Sequence, residues 1–435
     1  MGVDLRILRP PNQDRRNRQD RSGTIGRSHS VHHETHRVPF SHELSVPIDD
    51  VSVGACMVEV HGFCDERFGA LEKSFRANLD SGVDKGASLA VTMQGEFVVD
   101  LWGGTRDYGL VEPWESDTVV RVFSASKAVV ITCVLMLVDR GLLDLDAPIA
   151  QYWPEFAAHG KGAMTCRQVL THRSGIPGFR RSMTLDDLGN APLMVAILEN
   201  AELWYEPGTI TCYGTYTFGC ILGEVVHRLS GIQFDEFVRR EITEPLGADF
   251  AFSTPSTSTR VAAIWPAEGQ LPPESPLAAA VVAEVVPGPG WIDPNCLPLV
   301  IPSASGITNA RALARVAAVF AMGGELDGRR YLGRAIIEES SRVQNRAVDE
   351  LLGPINYGLG FGLDHADYPA PTSTTFHWGG YGGSFIAMDP ASGISAAFAQ
   401  NQLLPADGYG SDPRFSTFFR LLGEISNTIT GVSAR

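Results

Sequence analysis

The chain has 435 residues, 44% of them hydrophobic and 20% charged, with a net charge of −15. That composition describes a globular protein with a substantial core, and the acidic balance argues against a nucleic-acid partner, which would need a basic face. Its seven cysteines are dispersed without a Cys-x-x-Cys pair, so neither a zinc site nor a disulfide framework is indicated, and free thiols in a reducing compartment are expected.

Residues 1–50 are polar, Arg-rich and without apolar period, which predicts a disordered tail. His32, His33 and His36 fall there, but their spacing is one residue short of H-E-x-x-H, so a solvated segment is expected rather than a metal site. Arg15-Arg16 is followed by polar Asn17–Asp20 where a secretory signal would turn apolar. The longest apolar run, Ala128–Val138, falls short of the roughly 18 residues that span a bilayer. A cytoplasmic protein without a membrane span is the expectation.

Folded structure is predicted from about Val58. "ERFGALEKSFRANLDSG" reads as a helix with Phe68, Leu71, Phe75 and Leu79 on one face, and "ASLAVTMQGEFVVDLWGG" as a hairpin turning at Gln94-Gly95. A helix then runs from about Ser124 to Arg140, ended by Gly141. The middle of the chain is mostly helical, with "TCRQVLTH" starting at a Thr cap, "APLMVAILENAEL" in helical period, and "TFGCILGEVVHRLSG" ending at Gly231. Residues 253–302 read as a long connection rich in Pro, Ser and Ala. A helix "NARALARVAAVFAMGG", a hairpin turning at Asp389–Gly393 and a final helix "FSTFFRLLGEI" complete the chain. Strands at both ends with helices between predict one sheet made from residues 51–145 and 300–435, and a mainly helical domain over 146–299.

Lysine is scarce, with Lys73, Lys85, Lys127 and Lys161 the full set. One of them opens the most apolar helix, three residues after Ser124, which puts Ser124 and Lys127 on one face at a helix N-terminus. That geometry suits nucleophilic catalysis. A desolvated lysine with lowered pKa can take a serine proton, and free N–H groups at the helix start can hold a developing oxyanion. Alone, the pair is also compatible with a surface lysine on an amphipathic helix.

"FSASK" resembles the first motif of serine β-lactamases, penicillin-binding proteins and their esterase relatives. "VDLWGG", "DRGLLDLDAPIAQYWPEF" and "VLTHRSGIPG" resemble the class C β-lactamase-like esterases, family VIII carboxylesterases, and the likeness runs from about Val58 to the end. The resemblance implies an α/β fold of the β-lactamase/transpeptidase-like type: a mainly antiparallel sheet flanked by helices, an all-helical domain, and an active site between them. It further implies a second motif at Tyr213-Gly214-Thr215 in "EPGTITCYGTYTFG", where Tyr213 acts as general base or proton relay with its pKa lowered by the Lys127 ammonium. Thr215 stands where the family carries Asn, keeping a hydroxyl and losing an amide. The third motif falls on Trp378-Gly379-Gly380, which replaces the Lys-Thr-Gly of β-lactamases. There Trp378 would offer an apolar wall to substrate, and the N–H of Tyr381, with that of Ser124, would form the oxyanion hole.

His377 should point away from Trp378 by strand alternation, and His172 in "THRSG" reads as a structural turn residue. No complete G-x-S-x-G elbow occurs, Ser384 in "GGSF" coming nearest. The expected activity is hydrolysis of short- to medium-chain carboxylic esters, small-molecule substrates, through an acyl-enzyme and without metal or cofactor. A β-lactamase or D-amino-acid peptidase, and a non-catalytic binding protein on the same fold, remain as alternatives.

Overall fold

The computed structural model describes residues 58–267, 275–277, 289–405 and 409–431. The expected N-terminal tail and parts of the Pro-rich connection lie outside them. Among the described residues a nine-stranded antiparallel sheet dominates. Its strands are β1 (Val60–Cys64), β2 (Gly86–Met93), β3 (Glu96–Gly104), β4 (Asn345–Asp349), β5 (Gly353–Tyr357), β6 (Gly362–Leu363), β7 (Phe376–Gly379), β8 (Phe385–Asp389) and β9 (Ile394–Gln400). In space they run β1-β3-β2-β9-β8-β7-β6-β5-β4. The sheet therefore closes where β2, from the front of the chain, pairs with β9, from its end, Leu89 opposite Phe398.

Both predicted hairpins are present. Gln94 and Gly95 turn β2 into β3 with φ of +54° and +83°, the left-handed pair that a tight two-residue turn requires. Helix α1 (Gly69–Asp80) buries Leu71, Phe75 and Leu79, with Phe68 just ahead of it. On the same face of the sheet, α7 (Pro413–Thr430) sets Phe415, Phe418 and Phe419 against Phe385 and Phe398. The other face receives α6 (Ala310–Ala321), pinned where Ser395 Oγ donates to the Ala314 carbonyl and the Ala310 N–H donates to Ser88 Oγ.

Helix α2 (Lys127–Asp139) is buried from Lys127 through Leu137 on every side. A helix that is apolar all round belongs at the centre of a fold. It packs against α5 (Thr217–Ser230), which also meets α3 (Cys166–Leu170) and α4 (Ala191–Glu199). Thr165 caps α3 as expected, in a capping box closed by Gln168.

Candidate active site

The segment entering α2 is under strain. Val120–Arg121 pairs with Ile307–Thr308 in a small three-stranded sheet, after which Phe123 takes φ +46°. A bulky side chain with positive φ costs on the order of 1–3 kcal/mol and needs surrounding structure to hold it. That structure is present: Ser126 Oγ accepts the Gly306 N–H at 3.0 Å, and the Phe123 ring packs edge-on against Trp291 and Tyr381. The chain then makes one 3-10 turn, Phe123–Ser126, before α2 begins. Ser124 lies in that first turn, where backbone N–H groups have no partner within the helix.

Lys127 is fully buried, and its Nζ has three neighbours: Ser124 Oγ at 3.2 Å, the Thr215 carbonyl at 2.8 Å and the Ser303 carbonyl at 3.1 Å. Burial holds its pKa well below the usual lysine value. A neutral amine has two N–H bonds and one lone pair. In that form, with both N–H bonds on carbonyls, the lone pair would face the Ser124 hydroxyl, as a base for that proton requires.

The Tyr213 hydroxyl donates to Ser124 Oγ at 2.8 Å from the other side, and Lys127 Nζ stands 4.7 Å from the centre of its ring. The expectation that a lysine ammonium lowers the phenol's pKa is overturned. Burial raises Tyr213 above the ordinary tyrosine range, and the hydrogen bond with Ser124 and the nearby Trp378 only partly oppose it. Desolvation disfavours the charged form of both groups, so it drives the lysine towards amine and the tyrosine towards neutral phenol.

Trp378 also differs from expectation. Its indole is 1% exposed, packed against Tyr213, His172, Tyr357 and Tyr409. It supports the tyrosine from behind and presents no wall to a substrate. Gly379, Gly380, Tyr381 and Thr215 are partly buried, as Ser124 is. The Thr215 hydroxyl is buried without a hydrogen-bond partner, and it is the carbonyl of this residue that reaches the lysine. His377 lies on the opposite face of β7 from Trp378, bonded to the Tyr409 hydroxyl and packed on Phe419, with its pKa lowered by burial to about 3.

Gly380 brings the end of β7 onto the turn that carries Ser124. A Cβ there would meet the Val122 carbonyl oxygen at 2.1 Å, so only glycine permits the approach. Ser384 Oγ donates to that same carbonyl at 2.9 Å, which occupies the serine once closest to an elbow motif. The Gly382 carbonyl, one residue beyond Tyr381, accepts from Gln400 Nε2 and Arg414 Nη2. Arg414 is itself held in a buried ion pair with Asp84 at 2.6 Å and with Asp412 at 2.7 Å.

Ser303 escaped the sequence reading because its contribution is a carbonyl, which any residue type can supply. Its hydroxyl accepts the Gly219 N–H at 2.8 Å and donates to the Tyr216 carbonyl at 2.9 Å, which locks the 301–305 turn onto α5. A Cβ on Gly219 would lie 2.5 Å from Ser303 N. The glycine is the one legible trace of that contact.

The Beta-lactamase family profile matches residues 72–417. "Esterase/beta-lactamase LipL" of Mycobacterium tuberculosis (strain ATCC 25618 / H37Rv) is 32% identical over 372 residues, 79% of this chain and 83% of that protein. Among solved structures, a novel penicillin-binding protein homologue from Caulobacter crescentus superposes with a TM-score of 0.78 at 32% identity, covering 84% of this chain and 100% of that one. A family VIII carboxylesterase crystal structure gives a TM-score of 0.77 at 32% identity, with the same coverage. The sheet closed by both ends of the chain, the serine and lysine at the head of its central helix, and these likenesses agree: this chain belongs to the Beta-lactamase family.

Proposed function

We propose that this protein is a serine carboxylesterase that hydrolyses neutral short- to medium-chain esters through an acyl-enzyme. The observation that carries the reading is Ser124 Oγ between a buried lysine nitrogen at 3.2 Å and a phenol at 2.8 Å. Ser124 attacks the ester carbonyl as its proton passes to Lys127, the resting base. The N–H groups of Ser124 and Tyr381 hold the tetrahedral oxyanion. Tyr213, protonated and within reach of the same oxygen, delivers a proton to the departing alkoxide and is restored from the Lys127 ammonium. Water then repeats the sequence in reverse to free the acid. Each step conserves protons among three side chains, so no metal or cofactor enters.

The relatives' names support ester chemistry, and one also carries β-lactamase. That second activity is the alternative this protein must be tested against. Thr215 in place of the family's Asn, and a β7 strand without lysine, favour esters over anionic β-lactams. Six described cysteines are all free thiols, which fits a reducing, cytoplasmic setting. A chain-length series of p-nitrophenyl esters run beside nitrocefin tests the proposal. The expected order is butyrate or hexanoate well above nitrocefin, with all turnover absent in Ser124→Ala. Faster nitrocefin hydrolysis would hand the protein to the alternative.

A further inference from the structure

Tyr213 sits in an extended stretch, residues 210–214, that belongs to no helix or strand, yet its phenol must hold a 2.8 Å contact with Ser124. Buried backbone without a ladder must find its hydrogen bonds elsewhere. Three consecutive N–H groups show where. Cys212 N–H donates to the His172 carbonyl at 3.0 Å, Tyr213 N–H to Asp349 Oδ1 at 3.1 Å, and Gly214 N–H to His172 Nδ1 at 3.2 Å. One histidine thus grips the chain on both sides of the tyrosine, once with main chain and once with side chain. It can do both because it takes φ +54° just past the end of α3, which turns carbonyl and imidazole to the same neighbour.

The imidazole is also fixed as a ring. It stacks on Phe218 with an interplanar angle of 27° and on Trp378 at 19°, and its centre lies 4.7 Å from that of Tyr213. Because Nδ1 accepts a hydrogen bond, the ring proton is on Nε2, which is buried and without a partner. Burial holds the pKa of His172 well below the usual value, in keeping with the bare Nδ1 that the Gly214 N–H requires.

We infer that His172 is the positioning residue of the catalytic tyrosine, its carbonyl and bare Nδ1 clamping the backbone on either side of Tyr213 so that the phenol stays over Ser124. The inference rests on the role given to Tyr213 above. A loss of the side-chain half of the clamp displaces the phenol by a fraction of a bond length or more, and misplacements of about 1 Å cost on the order of 10²-fold in rate.

The test is steady-state hydrolysis of p-nitrophenyl butyrate by wild type, His172→Phe, His172→Asn, Tyr213→Phe and the double variant His172→Phe/Tyr213→Phe, with thermal unfolding of each. Phenylalanine keeps the stacked ring and removes the acceptor. Asparagine places an oxygen near the Nδ1 position and tolerates positive φ. His172→Phe is expected to lower kcat by about 10- to 100-fold with KM within roughly threefold, and His172→Asn to recover most of the loss. In the Tyr213→Phe background the same change should cost less than about threefold, because its effect runs through a hydroxyl already gone. Full additivity in the double variant, an unchanged kcat in His172→Phe, or an Asn variant as poor as Phe overturns the inference while leaving Tyr213 in place. An unchanged kcat in Tyr213→Phe removes the reading of the tyrosine and this inference with it. Should His172→Phe not fold, His172→Gln takes its place, with similar reach and an acceptor one bond too far from Gly214.

Discussion

Lys127 and Lys161 are both buried, and both end among backbone carbonyls. Lys161 Nζ donates to Ala158, Glu199 and Ala201 carbonyls at 2.7, 3.0 and 2.7 Å, whereas Lys127 has two carbonyls and, in the third direction, the Ser124 hydroxyl. Three acceptors around a nitrogen suit an ammonium, and there Lys161 ties the end of α4 to the loop at 158. Two acceptors and a hydroxyl suit an amine that takes up and returns a proton. The same residue type is structural in one place and, in the proposed mechanism, chemical in the other, and the difference is one neighbour.

Removing the nucleophile should separate chemistry from fold. Ser124→Ala is expected to reduce ester turnover by about 10³-fold or more, with an unchanged melting temperature to within a few degrees. A fluorophosphonate probe that labels the wild type should leave the variant unmodified. Retained turnover would remove the assignment of Ser124.

Lys127 predicts a pH dependence of both rate and stability. The amine form is the active one, so kcat/KM should rise with pH through the lysine's folded pKa, which lies well below 10.5, and then level off. Between that folded pKa and the unfolded value near 10.4, the unfolded chain holds a proton on this residue that the native state lacks. Stability should therefore increase with pH in that window, by up to about 1.4 kcal/mol per pH unit from this group. Below the folded pKa both states are protonated and the dependence disappears. Lys127→Met should be inactive and should lack this component, so wild-type stability measured by urea unfolding gains on the variant as pH rises towards 10. Parallel pH profiles for the two proteins would contradict a depressed lysine.

Tyr213→Phe should lower kcat by on the order of 10²-fold, as loss of acid–base assistance does, with little change in KM. Its fold should persist, because the backbone contacts of residue 213 do not involve the hydroxyl. An effect confined to KM would make the ring a surface for substrate instead.

Gly219→Ala tests the support beneath Lys127. The added methyl would sit 2.5 Å from Ser303 N and 2.9 Å from Pro302 C, both main-chain atoms, so the 301–305 turn must move. Overpacking of this kind costs about 1–3 kcal/mol, and the displaced Ser303 carbonyl should no longer reach Nζ. A lower melting temperature together with a further fall in the kinetic pKa of the base is expected, because a carbonyl acceptor favours the ammonium form. Normal kinetics in a destabilised variant would make Ser303 dispensable to the site.

Much of this was legible in the amino-acid order, and the exceptions share a cause. Ser124, Lys127 and Tyr213 act through side chains in the proposed mechanism, and the three that the motifs singled out do meet, at 3.2 and 2.8 Å. Both hairpins and the apolar face of α1 followed from period and turn residues. Ser303 contributes a carbonyl and His172 acts partly through its main chain, and neither function constrains residue type strongly enough to be read. Trp378 was placed on the correct side of its strand relative to His377, yet alternation cannot say what the helices lay over that side. The direction of the Tyr213 shift failed for the same reason, since desolvation depends on everything packed around the phenol.

The two carbonyls on Lys127 have a kinetic implication. On the proposed mechanism, the Ser124 proton takes the one direction around Nζ not held by a carbonyl, and the new N–H points back at the oxygen it left. In the proposed mechanism none of these four groups has to relocate, so the reorganisation barrier at this step should be small. The base is already shaped for the state that exists only in passing.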